Sequence, residues 1–351
     1  MIRIQSSILW KAAVALCIVM SACSKSSDPD PDPVPPDPPV TVSIKGADIS
    51  WVTEMEAAGK KFYTAGGQEK ECFALMQSLG FNTIRLRVWV NPADNYNSVA
   101  DVVAKAKRAQ ALGLQVMIDF HYSDTWADPG HQEKPATWAT LTFGELKAAV
   151  AQHTQSVLQQ LKSEGVTVQW VQAGNETNDG MLWPDGKASE HMDNYAALIT
   201  AAFDAAKSVY PSAKVIVHVS NGWDNDLFRW NIGGLAAAGA KFDIVGLSMY
   251  PGYAPSGWAA ANTACLAIMN DIVTRYNKGV MVVEAGMPWD DAATSKAFLD
   301  DLIRKTASVK DDRGLGVFYW EPEAYGGWKG YTLGAFDNTG KPTIALDPFK
   351  N

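Results

Sequence analysis

The sequence predicts a (β/α)8 barrel, an α/β fold of the TIM type, on three observations. Eight short runs rich in β-branched and aromatic residues each lead into a helical pattern, except the last, which enters a loop and tail. Turns from helix to strand are short and often glycine-marked, as at Leu112-Gly113-Leu114, whereas loops from strand to helix are long and rich in Trp, Asp, Asn and Tyr. Repeated strand–helix units of roughly 30–45 residues join parallel strands by right-handed crossovers. Eight of them fit a closed barrel better than an open doubly wound sheet. An open sheet would also want a glycine-rich phosphate turn after an early strand, and Gly-x-Gly-x-x-Gly is absent.

In chain order, the N-terminus does not belong to the barrel. Arg3 and Lys11 precede a continuously apolar run over 12–20, and Ser21-Ala22-Cys23 follows. That is a secretory signal, too short to span a bilayer as a permanent helix. The small residues before Cys23 resemble a bacterial lipobox, with Met20 where leucine is more usual, which implies removal of 1–22 and lipidation of the Cys23 thiol. Residues 23–42 alternate Pro and Asp with almost nothing to form a core, an extended tether of about 3 Å per residue. The expected organisation is signal 1–22, lipidated Cys23 and linker 23–42, and one catalytic domain over 43–351. Such a chain is a monomer anchored in the cell envelope, in the outer membrane. The acidic run behind Cys23 also resembles a surface-export signal, interrupted by Lys25, so surface and periplasmic faces both stay open.

The predicted strands are 44–49, 83–89, 114–120, 168–173, 215–219, 242–247, 280–283 and 315–320. Between them lie helices over 68–79, 98–112, 145–163, 191–209, 225–238, 258–276 and 294–307, several stopped by Gly80, Gly113, Gly165 or Pro211. Cys17 leaves with the signal. Cys72 and Cys265 sit in amphipathic helical segments far apart and read as buried free thiols.

The 351 residues are 47% apolar and carry a net charge of −8, which argues against nucleic acid as a partner, since that needs a basic face. Thirteen tryptophans make their placement the question, because Trp serves both as core and as a stacking surface for sugar rings. Barrel enzymes carry their chemistry at the C-terminal ends of the strands. Here those ends hold Asp48, then Arg85, Arg87 and Trp89, then His121, Asp124 and Trp126, then Asn175 and Glu176. His218, Tyr250, Glu284 with Trp289, and Trp320 follow on the later strands. Arg85 and Arg87 are two apart and share a face, and charges there are expensive unless paired.

Glu176 follows the fourth predicted strand and Glu284 the seventh, so a barrel brings them across its mouth. Two carboxylates about 5 Å apart fit a retaining glycosidase, and a gap of roughly 6.5 Å or more would leave room for water and invert the centre. A neighbouring Arg85 or Arg87 would keep one acid ionised, while the less compensated one would stay protonated. His121, Asp124, Asp128 and His131 suggest a metal only weakly, because neither His-x-His nor His-Glu-x-x-His spacing occurs. No metal and no cofactor are expected.

Asn175-Glu176 and Glu284 at those two places resemble the clan of retaining (β/α)8 glycosidases. Longer runs narrow the likeness: 83–92 (TIRLRVWVNP), 119–129 (DFHYSDTWADP), 316–322 (GVFYWEP) and 46–50 (GADIS). Together they are similar to glycoside hydrolase family 53, the endo-β-1,4-galactanases, over essentially all of 43–348. The resemblance implies Glu176 as acid/base, Glu284 as nucleophile and Asn175 as donor to the 2-hydroxyl of the sugar being cleaved. It also implies that Arg87 or Arg85 and Tyr250 hold the nucleophile and that Trp320 floors the central subsite. The implied substrate is β-1,4-linked galactan, as in pectin side chains. Nothing in composition or spacing separates galactose from glucose or mannose, so a mannanase or glucanase remains an alternative, as does a non-catalytic glycan-binding lipoprotein. Some bacterial relatives hold calcium in a long loop after the seventh strand. Here 287–291 leads quickly into a helix with only Asp290 and Asp291, too few oxygens for that ion.

Overall fold

The computed structural model describes residues 41–350. The expected signal, Cys23 and all of the linker before Thr41 lie outside the described residues. Val42, placed in the linker from sequence, is 3% exposed and packs into the core, so the domain begins at least one residue earlier than expected.

Eight parallel strands close a barrel in sequence order: β1 (Ile44–Asp48), β2 (Thr83–Val88), β3 (Gln115–Phe120), β4 (Trp170–Ala173), β5 (Lys214–Val219), β6 (Ile244–Met249), β7 (Gly279–Ala285) and β8 (Gly314–Trp320). The (β/α)8 expectation is met. The long crossover helices are α3 (Val99–Ala111), α4 (Phe143–Ser163), α5 (Ala188–Val209), α6 (Asn225–Ala237), α7 (Gly257–Tyr276) and α8 (Ala292–Ala307). Two shorter helices, α1 (Val52–Ala57) and α2 (Cys72–Ser78), fill the first crossover. The sequence pattern missed α1 and started α2 early. α1 is only six residues long, and it buries just Val52 and Met55, too few positions to show a period.

Local chemistry fixes the helix starts. Thr142 and Glu145 form a reciprocal capping box on α4, which begins two residues before the predicted start. Ser98 caps α3 and Asp291 caps α8 through the backbone N–H of Asp101 and Thr294 respectively. Asp291, one of the two acids in the shortened loop, is thereby committed to the helix end.

Inside the barrel, the lower layer is apolar: Ile44, Met117, Trp170, Ile216, Ile244, Met281, Val283 and Phe318 pack together. Gly46 has to be glycine here, because a Cβ would lie 2.0 Å from the Phe318 ring. One step toward the C-terminal mouth the layer becomes polar, with Asp48, Arg85, Asp119, Gln172 and His218 all fully buried. Strand alternation alone would turn Glu284 away from this layer, because Met281 and Val283 already point inward. A register shift between Leu247 and Ser248 leaves Val283 unmatched and sets Glu284 opposite Ser248. This irregularity re-aims the carboxylate into the mouth. Cys72 and Cys265 are buried free thiols, as expected.

Candidate active site

Arg85 organises the polar layer. Its Nη1 reaches Asp48 Oδ2 at 2.6 Å, and its Nη2 reaches Asp119 Oδ2 at 3.0 Å, Glu284 Oε1 at 2.9 Å and Asn175 Oδ1 at 2.9 Å. Burial opposes its charge, and three facing carboxylates more than offset this, so the guanidinium stays firmly protonated. Arg87 has a different task. It pairs with Glu321 Oε1 at 2.5 Å and lies under the Trp126 ring, with the guanidinium carbon 4.3 Å from the centroid. Arg87 Nε and Nη2 have no hydrogen-bond partner, and the faces of Trp126, Trp51 and Trp89 take their place. Of the two arginines left open by the sequence, Arg85 is the one that touches Glu284.

Glu284, 5% exposed, also accepts a hydrogen bond from the Tyr250 hydroxyl at 2.9 Å. Glu176 is half-buried, in a left-handed conformation (φ 44°) just past β4. Such backbone is disfavoured for a glutamate and persists only where its surroundings hold it. Here the Glu176 N–H donates to His218 Nδ1 at 3.2 Å, and the next residue, Thr177, donates its N–H to the His218 carbonyl at 2.8 Å.

A short relay meets the Glu176 side chain. Ser248 Oγ donates to Glu176 Oε1 at 2.6 Å and lies 2.7 Å from His218 Nε2. With its hydrogen on Glu176, Ser248 must accept from His218, so the imidazole proton sits on Nε2 and Nδ1 accepts. Burial, reinforced by Arg85, holds His218 well below the usual histidine range, and the ring is neutral.

Burial also raises both carboxyls. Glu176 is pushed up to about 7, with Ser248 and Arg85 pulling down and Asp128 pushing up. Glu284 is raised further, to about 8, by burial first and then by the Glu176 charge, with Arg85 opposing. Two such groups titrate as a pair and share one proton near neutrality. The guanidinium and phenol on Glu284 favour leaving that proton on Glu176.

Above the pair lies a cleft of about 580 Å³ lined by Trp51, His121, Trp126, Asp128, Asn175, Trp223, Tyr250, Tyr253, Trp320 and Tyr331, among others. Trp51, Trp126, Trp320 and Tyr331 pack edge-to-face with centroids 4.8–5.9 Å apart. His121 is fixed on both sides: Trp89 Nε1 and the Ala127 N–H both give to Nδ1, so Nε2 carries the proton and donates to Asp119 Oδ2 at 3.0 Å.

The sequence-selected residues therefore separate into groups. Glu176, Glu284, Asn175, His121, Trp126, Tyr250 and Trp320 line the cleft. Asp48, Arg85, Arg87 and His218 lie beneath it in the buried layer, and His218 acts on Glu176 rather than facing the cleft. Trp89, Asp124 and Trp289 are outside the lining. Asp124 staples its own loop, accepting from the N–H of Asn91 and of Ala136, and Trp89 supports His121. Trp289 is held by its backbone to Thr332 across the next loop. Asp128, weighed as a metal ligand, pairs with His131 at 2.9 Å, away from Asp124's contacts. Ser248, Gln172, Glu321 and Tyr331 were not selected. Ser248, a hydroxyl one residue before the end of the buried strand β6, was the one signal available among them.

Comparison with known proteins agrees with this architecture. The profile described as Glycosyl hydrolase family 53 matches residues 44–349. A protein of Neosartorya fischeri named "Probable arabinogalactan endo-beta-1,4-galactanase A" is 35% identical over 303 residues, 80% of this chain and 84% of that one. The arabinogalactan endo-β-1,4-galactanase of Thermothelomyces thermophilus is 34% identical over 302 residues, 80% of this chain and 90% of its own. A structure from a study of two fungal β-1,4-galactanases superposes with a TM-score of 0.82 at 31% identity, covering 88% of this chain and 99% of that chain. The chain belongs to glycosyl hydrolase family 53 and is a glycoside hydrolase.

Proposed function

We propose that the protein is a retaining endo-β-1,4-galactanase in which Glu284 is the nucleophile and Glu176 the acid/base. The observation that carries this reading is the unequal setting of two carboxylates on one cleft. Glu284 is bound by the Arg85 cation and the Tyr250 hydroxyl, whereas Glu176 meets only the neutral Ser248–His218 relay.

In the first step Glu176 gives its proton to the glycosidic oxygen while Glu284 attacks the anomeric carbon. The carbon–oxygen bond breaks, the shortened chain leaves as an alcohol, and the sugar is held as a glycosyl ester of Glu284. Ser248 donates to Oε1, which leaves Oε2 as the oxygen that carries the proton. Water then attacks the anomeric carbon, the Glu176 carboxylate takes its proton, and the ester bond to Glu284 breaks. Two inversions return the β configuration. Asn175 Nδ2 has one hydrogen on the Ala127 carbonyl at 2.8 Å, and its second hydrogen serves the sugar 2-hydroxyl. Trp320 floors the ring undergoing cleavage.

Galactan as substrate is supported by the names of the relatives. The direct test is digestion of galactan, mannan and cellulose side by side. Galactan alone should release reducing ends; release from mannan or cellulose instead would transfer the enzyme to another β-1,4-glycanase class, and no release at all would make it a glycan-binding protein.

We further propose that Cys23 is lipidated and holds the barrel on the outer membrane by the Pro/Asp linker, as a monomer. Incorporation of labelled palmitate that disappears in Cys23→Ala tests this; equal labelling of both would reject it.

A further inference from the structure

We propose that Tyr253, together with Trp223, is the stacking platform for the galactan residues on the leaving-group side of the bond being cleaved. This deepens the galactanase reading and rests on it.

Tyr253 ends the 3-10 turn Pro251–Tyr253 that follows β6, and the residue is 76% exposed while lining the cleft. Among the described residues it is the most exposed of the large hydrophobic side chains. An aromatic ring left in water at the edge of a cleft has its apolar face free for a ligand. Tyr253 is also tied to the reacting centre, since its centroid is 6.5 Å from that of Tyr250, whose hydroxyl holds Glu284. Trp223, on the loop after β5, is half-buried and lines the same cleft with Ser220 and Asn221.

The closed strand order assigns the side. Glu176 on β4 and Glu284 on β7 divide the barrel rim into two arcs. The longer arc, β8 through β3, carries the rigid Trp51–Trp126–Trp320–Tyr331 cluster, the floor for the sugar that becomes attached to Glu284. The shorter arc holds only β5 and β6, and its aromatics in the cleft beyond Tyr250 are Trp223 and Tyr253. A chain lying over Trp320 and crossing between the carboxylates leaves over that shorter arc. Galactose suits such a surface: its axial 4-oxygen leaves the C–H groups of C3, C4 and C5 on one face, free to lie on an aromatic ring.

The test uses the full-length protein and β-1,4-galactohexaose labelled at the reducing end. Without the platform, binding modes that fill the leaving-group side are weakened, so Tyr253→Ala should move cleavage toward the reducing end and put the label into shorter products. Its kcat/KM on the hexaose should fall roughly tenfold, the size of one aromatic contact. Tyr253→Phe keeps the ring and should keep the wild-type pattern. An unchanged pattern in Tyr253→Ala, a shift that puts the label into longer products, or an equal shift in Tyr253→Phe overturns the platform while leaving the galactanase reading standing. A wild-type enzyme that cuts no galacto-oligosaccharide overturns both.

Discussion

Arg85 Nη2 lies 2.9 Å from Glu284 Oε1 and, through the same nitrogen, 3.0 Å from Asp119 Oδ2. One guanidinium thus serves the reacting carboxylate and the buried layer that supports it. Arg85→Met keeps the volume and leaves Asp48, Asp119 and Glu284 without their cation. Breaking a buried ionic cluster on one side costs about 3–5 kcal/mol, which for a domain of this size is a fall in Tm of roughly 5–8 °C. Differential scanning calorimetry checks it. Because Arg85 lowers Glu284, its loss should also raise the acidic limb of the kcat/KM profile. An unchanged Tm and limb would contradict the assignment.

Ser248 is the second point of leverage. Its hydroxyl lowers Glu176, so Ser248→Ala should raise the acid's titration above about 7 and move the alkaline limb of the pH–rate profile upward. Loss of one hydrogen bond to a charged group should also lower kcat roughly tenfold. A purely structural serine would reduce activity without moving that limb. The wild-type profile itself should fall on the alkaline side as the pair loses its shared proton, at a pH that burial raises well above the usual carboxylate range.

His153, on α4, gives a stability signature. Its ring lies against Phe120, Tyr122 and Trp138, and burial lowers it to about 4 from the usual 6.5. Between those two values the unfolded chain binds a proton that the folded one refuses. Stability should therefore be complete above about 6.5 and decline as pH falls toward about 4. His153→Phe should flatten that part of the Tm–pH curve; an equally steep curve would show that other groups cause it.

The barrel was legible in the sequence because each strand is a short apolar run with a marked end, and hydrophobic period reports elements of that size well. The pair Glu176 and Glu284 was legible for the same reason, as both stand at strand ends. Three details were not. The choice between Arg85 and Arg87 depends on register, which pairs Asp48 with Arg85 and Arg87 with Asp119. Ser248 reaches Glu176 only because the closed sheet brings β6 and β4 together across β5. The inward aim of Glu284 depends on the β6–β7 register shift, which has no signature in composition or period. Asp124 went the other way. Its residue type suits a sugar site, and its two carboxylate oxygens accept from the N–H groups of Asn91 and Ala136 in its own loop.

Rescue by azide tests the roles of the two glutamates most directly. Glu284→Ala, given an activated galactoside and azide, should yield the α-galactosyl azide, because the anion fills the vacated nucleophile position and attacks once. Glu176→Ala should yield the β-azide, because azide attacks a glycosyl-enzyme already formed on Glu284. Anomeric coupling constants in the proton NMR spectrum distinguish the products. The reverse pairing of mutants and anomers, or full hydrolytic activity in either mutant, would contradict double displacement through Glu284.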